Sequence, residues 1–435
     1  MYSFFKFFFT LPQLPKKAII CYSVAMKILS IETSCDETGI AILESGAEKT
    51  ISILGNALSS QIEIHAQYGG VFPALAKRAH AEKITFLVQQ ALSDAELLEA
   101  VDAPVENISS ELSFLDEKET QLKEHLMPFL TYYKKPDIDY IAVTVGPGLE
   151  PALWVGINTA KALSKIWNIP VIPINHMEGH VVTAVFQRIN EQDFVLSPID
   201  MPILSLLVSG GHTELVLSSE LGKYQKIGQT RDDAVGEAFD KVARVLGLPY
   251  PGGPAVSGLA RDWRDNEEDR LFELPRPMLH SGDYDFSFSG IKTAVLYTVR
   301  DLNREMTDEE KRALAGEFEN AAIEVLVHKT LKALSEHNAQ TVVVGGGVAG
   351  NTYLREQLSE KISKLYPEVS LLFPEMWLAT DNAVMIGMAG MLKIFSEQSL
   401  LRLDSVNTSP SKQGYAGQVK TRNPEELRAD GNLSL

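Results

Sequence analysis

Two histidines four residues apart, His176 and His180, stand in the run Ile174-Asn175-His176-Met177-Glu178-Gly179-His180. On a helix that spacing projects both imidazoles from one face, where they can hold a single metal ion. A carboxylate such as Asp381, in the late turn Thr380-Asp381-Asn382, can complete a two-histidine, one-carboxylate site with positions left open for a substrate. The same run argues against a peptidase. The HExxH arrangement needs its glutamate directly after the first histidine. Here Glu178 comes one place later, about 200° around the helix from His176 and away from the metal face.

Polar and glycine-rich turns carry a second kind of chemistry. Ser209-Gly210-Gly211-His212-Thr213 follows the apolar run Ile203–Val208, and its paired glycines let backbone N–H groups approach an anion that a Cβ would fend off. A plain hairpin turn has the same composition. Gly345-Gly346-Gly347-Val348-Ala349-Gly350-Asn351 permits close contact with a nucleotide, with Asn351 available to bond a base or ribose. It is not GxGxxG followed by a ribose-binding acid, which excludes a nicotinamide enzyme. Glu32–Gly39 packs hydroxyls and carboxylates between two apolar runs; its amides can hold phosphate, and Asp36 or Glu37 can hold a metal or orient a nucleophile. Asp240, in the helical pattern of residues 234–243, can accept bonds from ribose hydroxyls, its plain alternative being a solvated helix acid.

The elements that must position these groups read as α/β. Ile28–Ile31 and Ile40–Leu43 flank one polar turn; Ile203–Val208 and Glu214–Leu217 flank another, half a chain later. These two strand–turn–strand copies indicate an internal duplication with one phosphate-type loop per lobe. Tyr140–Val145 and Thr341–Val344 each run into glycine and then a helical pattern, as in folds that bind ligands at strand ends. The expected lobes are residues 27–180 and 181–380, with 381–401 a helix closing on the first lobe. Residues 93–136, acidic and helical around Leu112–Met127, read as an inserted solvated cover. Residues 402–435 are polar and read as a disordered tail, and residues 1–26 as a non-native or disordered extension ahead of a start at Met26.

With 435 residues the chain can bury a core in each lobe. Its 40 basic against 57 acidic side chains give a net charge of −17, which repels polyanions at long range. A nucleic-acid role then needs a confined basic cluster, such as Lys77, Arg78 and Lys83, or a basic partner. Cys21 and Cys35 are the only cysteines and suggest a reducing compartment. No apolar run reaches the length of a membrane span.

Taken in order, the motifs resemble the tRNA threonylcarbamoyladenosine transferase (TsaD) family, bacterial type. The resemblance runs from Lys27 to about Phe395 through Ile31–Thr38, Ser60-Gln61-Ile62, Tyr68–Val71, Gly146–Leu149, His176–His180, Leu207–Thr213, Gly236–Lys241, Tyr250–Pro254, Phe288–Thr293, Gly345–Asn351 and Thr380–Asn382. It implies a two-lobed actin/Hsp70/sugar-kinase-like (ASKHA) fold with duplicated lobes and a central cleft. The implied activity moves the threonylcarbamoyl group from threonylcarbamoyl-adenylate to N6 of adenosine 37 in tRNAs reading ANN codons, releasing AMP. His176, His180 and Asp381 match the family's metal ligands, usually iron(II). Leu207, Val208, Ser209, Gly210, Gly211, Asp240, Gly253 and Asn351 match its adenylate positions. Glu37, with Asp36, is the candidate for proton transfer. The resemblance further implies tRNA as substrate, a paralogous non-catalytic subunit, a small P-loop ATPase subunit and a cytoplasmic location without membrane attachment. The chain departs from the pattern at Ala74, commonly a glutamate, at Gly148–Pro151, and in residues 93–136. A non-catalytic scaffold of the family and a small-molecule kinase of the same fold are the rival readings.

Overall fold

The structure, a computed structural model, describes residues 25–267, 269–404 and 421–435. In the first half β1 (Lys27–Glu32), β2 (Glu37–Ser45) and β3 (Thr50–Ser60) form an antiparallel meander. Helices α1 (Ile62–Ala66), α2 (Pro73–Asp94), α3 (Ile108–Glu111) and α4 (Thr120–Tyr132) lead to β4 (Tyr140–Gly146), parallel to β1. Then come α5 (Glu150–Trp167), β5 (Val171–Asn175) parallel to β4, and α6 (His176–Val185). A short hairpin, β6 (Phe186–Arg188) and β7 (Asp193–Leu196), pairs onto β3 and completes the sheet order β5-β4-β1-β2-β3-β7-β6.

The second half repeats the plan. Strands β8 (Ile203–Val208), β9 (Thr213–Glu220) and β10 (Lys223–Gln229) form the meander. Helices α7 (Val235–Val245), α8 (Gly252–Asp265), α9 (Ser289–Asp301) and α10 (Asp308–His337) precede β11 (Thr341–Gly345), parallel to β8. Helix α11 (Thr352–Leu365), β12 (Ser370–Leu372) parallel to β11, and α12 (Ala383–Asp404) close it. The order β10-β9-β8-β11-β12 matches β3-β2-β1-β4-β5 strand for strand. The chain is therefore a duplicated, two-lobed α/β protein of the actin/Hsp70/sugar-kinase type. Strands β1 and β8 are buried on both faces because helices cover both sides of each sheet, so they read as near-continuous apolar runs.

The last helix of each half crosses to the other. Helix α6 leaves β5 and packs on β8 and β11, whereas α12 leaves β12 and packs on β1, β2 and α6. Gly179 allows the crossing: a Cβ there would stand 3.1 Å from the Met385 side chain and 3.3 Å from that of Ile386. The lobe boundary expected at residue 180 thus falls inside α6, and residues 186–196 still belong to the first sheet through β3.

The polar tail is also unlike its expectation. Residues 1–24 and 405–420 lie outside the described residues, but 421–435 fold back on the first lobe. Leu427 is fully buried against α5 and its neighbours, Arg422 bridges to Val171, and the Asp430 N–H donates to the Val145 carbonyl at 2.9 Å. Backbone bonds and one leucine anchor hold this strap, so its polar composition gave no sign of it. The inserted segment has the acidic outer face expected of a cover. Its inner face buries Leu112, Leu115, Leu122, Leu126 and Phe129 in the first-lobe core beside α2 and α5.

Candidate functional site

The metal trio arises at equivalent places in the two halves. His176 is the first residue of α6, after β5, and Asp381 lies just ahead of α12, after β12. The Asn175 side chain caps α6, accepting from the N–H groups of Met177 at 2.9 Å and Glu178 at 3.3 Å. Asn382 does the same for α12, accepting from the Met385 N–H at 3.0 Å. Both caps set where the ligand side chains start. The Nε2 atoms of the histidines converge on Asp381 Oδ1, at 3.4 Å from His176 and 3.1 Å from His180. The rings meet edge to face with centroids 4.8 Å apart.

Behind the trio stands Glu32, fully buried at the end of β1. Its Oε2 lies 3.2 Å from His176 Nδ1, and its oxygens accept from the Ser34 N–H and the Thr144 hydroxyl, both at 2.5 Å. A carboxylate on the far nitrogen fixes an imidazole's tautomer and makes it a better metal ligand. Burial opposes a charge on His176, yet Asp381 and Glu32 outweigh it and hold the imidazole well above its usual range. Asp381, against the cost of its own burial, is held below the carboxylate range by the two histidines. The field at this point calls for a cation. Two imidazoles and a carboxylate converging in such a field fit a divalent transition metal with open positions.

Asp36 and Glu37 are not part of the trio. Burial, then Asp36 and Asp381, push the Glu37 carboxyl up to about 10, so it keeps its proton near neutrality. The turn carrying them is pinned by His80 on the buried face of α2. Its Nε2 lies 3.0 Å from the Cys35 carbonyl, while its Nδ1 faces the Thr38 hydroxyl at 2.7 Å and the Gln61 amide at 3.2 Å. Nε2–H donates to the carbonyl, so Nδ1 accepts and the ring is neutral; burial pushes its pKa down to about 4.

Across the cleft, Leu207 and Val208 end β8 inside the core, and Ser209–His212 turns at its tip. The Ser209 N–H donates to the His212 carbonyl at 2.8 Å, and the His212 N–H to Ser209 Oγ at 3.1 Å. No atom lies within 4 Å of where a Cβ would stand on Gly210, Gly211 or Gly253. The backbone is bare there. Burial, then the charges of His176 and His180, push His212 down to about 4. A Cβ on Gly345 would stand 2.8 Å from the His180 carbonyl oxygen and 3.1 Å from the Leu207 side chain, so the end of β8 and the histidine helix meet there. Asp240 accepts from the Gly252 N–H at 2.7 Å and so fixes the start of α8. Asn351 caps α11 by accepting from the Leu354 N–H at 2.8 Å, and its amide donates to Glu319 at 2.7 Å and Ser257 at 3.0 Å. Both amide hydrogens have partners inside the protein, and these bonds hold Asn351 at the end of the 345–350 turn.

Glu32 and His80 were missed as site residues in the sequence, as was Tyr250, whose hydroxyl is raised by burial and then by the charges of Asp36 and Asp240. A glutamate ending a strand otherwise buried, and a histidine in the apolar stripe Ala76-His80-Ile84, were the available signals.

Comparison with known proteins decides the family. The model of the tRNA N6-adenosine threonylcarbamoyltransferase family (TsaD) matches residues 52–103 and 131–388. A relative of that name from Geobacillus kaustophilus is 40% identical over 384 residues, covering 88% of this chain and 96% of the relative. Another from Bacillus subtilis is 39% identical over 397 residues, covering 91% and 98%, and one from Enterococcus faecalis is 38% identical over 383 residues, covering 88% and 94%. The chain belongs to this family. The gap in the match, residues 104–130, holds α3 and most of α4, the central part of the 93–136 segment, whose two ends fall within the match. Among the described residues no helix is long and apolar enough to cross a membrane.

Proposed function

We propose that this chain transfers the threonylcarbamoyl group from threonylcarbamoyl-adenylate to N6 of adenosine 37 in tRNAs reading ANN codons, forming threonylcarbamoyladenosine and releasing AMP. Membership of the transferase family supports the reaction class. The observation that carries the reading is the convergence of two imidazoles and a carboxylate, with the end of β8 that leads into the bare glycine turn packed near the His180 backbone. A metal such as iron(II), held by His176, His180 and Asp381, would supply electrophilic polarisation of the threonylcarbamoyl oxygens.

The chain's own groups do the rest. Amides of Ser209–Gly211 and the start of α8 hold the adenylate, with Asp240 and Asn351 as supports of those turns. The N6 amine forms a bond to the carbamoyl carbon while the carbon–oxygen bond to phosphate breaks, and AMP leaves. Glu37 keeps its proton and can donate a hydrogen bond, with Asp36 beside it as the candidate acceptor of the amine proton. An exocyclic amine is a weak nucleophile, so holding it in line supplies much of the acceleration. Lys77, read from the sequence as part of a tRNA cluster, is engaged by Glu119 at 2.8 Å. Family membership supports the further reading that tRNA contacts are shared with a paralogous non-catalytic chain and a small P-loop ATPase in the cytoplasm.

The test is a transfer assay with purified chain, iron(II), adenylate donor, unmodified tRNA and the partner subunits, scored by nucleoside mass spectrometry. Threonylcarbamoyladenosine is expected from the wild type and not from His176→Ala. Full turnover by a metal-free His176→Ala protein would overturn the mechanism.

A further inference from the structure

Glu178 sits between the two metal-site histidines in sequence, yet nothing in the transfer chemistry uses it. Its side chain is 7% exposed on the face of α6 turned from the trio. A carboxylate taken out of water needs partners to replace its hydration. Glu178 has two. Lys393 Nζ lies 3.0 Å from Oε2, and the Tyr224 hydroxyl donates to Oε1 at 3.4 Å. Lys393 also donates to the Pro173 carbonyl at 3.2 Å, in the strand that launches α6.

The addresses of these partners matter more than their number. Lys393 belongs to α12, the helix that begins just after Asp381. Tyr224 belongs to β10 in the second lobe. One carboxylate therefore ties the helix bearing both histidines to the helix that follows the third ligand, and ties both to the opposite lobe. On this side lies a cavity of about 610 Å³ whose lining includes Glu178, Tyr224, Leu392, Lys393 and Phe395. The ion pair stands on the wall of that cavity, beyond the packed seam where Gly179 meets Met385 and Ile386.

We propose that Glu178 is a positioning residue for the metal site, its bond to Lys393 setting the slide and rotation of α6 against α12. That setting fixes how closely the histidine Nε2 atoms approach the Asp381 carboxylate. Tyr224 adds a link through which the position of the second lobe bears on the same geometry. The inference rests on the metal reading above.

Cobalt(II) titration of the full chain, followed by its visible absorption band and paired with thermal unfolding of the metal-free protein, tests it. Glu178→Gln keeps the shape and removes the charge; Lys393→Met removes the partner. Each is expected to weaken cobalt(II) binding about tenfold, as loss of outer-shell support does. The double variant should lose no more than either single one, because both remove the same link. A Glu178→Gln protein with wild-type cobalt(II) affinity and spectrum, whatever its unfolding temperature, would overturn the proposal and leave a purely structural ion pair. Should a single variant fail to fold, Tyr224→Phe, which keeps both charges, carries the test: a weaker, altered cobalt(II) complex supports the link and an unchanged one overturns it. A wild-type protein without a band sensitive to His176→Ala sinks the metal reading itself, and this inference with it.

Discussion

The turn after β1 and the turn after β8 occupy the same place in two copies of one topology, and they have been put to opposite uses. The first is crowded. Thr33 donates to the Ala152 carbonyl at 3.0 Å, Ser34 and Glu32 hold His176, and a Cβ on Gly148 would stand 2.6 Å from the Ser34 carbonyl oxygen. The second is bare on its outer side, held by its own backbone, by Ser209 and by the Gly236 N–H at the start of α7, with open space over Gly210 and Gly211. Duplication supplied two loops at strand ends. One was filled with side chains that frame the histidine–aspartate trio, and the other was left open over its glycines.

The largest effect should come from breaking the filled turn at its buried charge. Glu32→Ala leaves Thr144 and the Ser34 N–H without their acceptor and His176 Nδ1 with Ser34 Oγ alone; metal affinity should fall about 10–100-fold, read by cobalt(II) titration. A matched glycine pair comes next. Gly148→Val meets both a φ of 154° and the Ser34 backbone and should cost about 3 kcal/mol or more in denaturant unfolding. Gly211→Val faces open space, so stability should stay within about 0.5 kcal/mol while AMP binding by calorimetry weakens tenfold or more. Equal stability losses would dissolve the contrast between the turns.

Acid should loosen the filled turn first. His80 has a folded pKa of about 4 against an ordinary 6.5. Because the unfolded chain then binds the extra proton, the neutral imidazole's contribution is fully present above pH 6.5 and is lost as pH falls toward 4. The loss is roughly 3 kcal/mol, the shift converted at 1.36 kcal/mol per unit. His80→Gln should flatten that part of the stability–pH profile. The smallest effect belongs to the bare turn: Ser209→Ala removes one hydrogen bond to the His212 N–H and should cost about 1 kcal/mol.

Sequence pattern went far with this chain where chemistry repeats at short range. The histidine spacing, the two strand–turn–strand copies and the inserted cover were all legible because helix and strand periodicity, or composition, carries them. What escaped depends on pairing between distant segments. Glu32 becomes a partner of His176 only because β1, β4 and β5 lie side by side in parallel, ending at one edge. The strap of residues 421–435 escaped because backbone bonds to β4 and β5 and a few scattered apolar side chains, Leu427 foremost, bind it without a periodic pattern. The two amide partners of Asn351, Ser257 and Glu319, were not legible because they sit on other helices.

The exchange of final helices between the halves has a consequence for biosynthesis. His180 and Asp381 are 201 residues apart in the chain. At the usual elongation rate the third ligand leaves the ribosome roughly 10–40 s after the first two. A nascent first lobe can fold its sheet and display both histidines, but it has no acid to close the site and no α12 to cover its apolar surface. Metal capture is thereby reserved for a nearly finished chain, and a truncated product would carry an open, weakly binding pair of imidazoles.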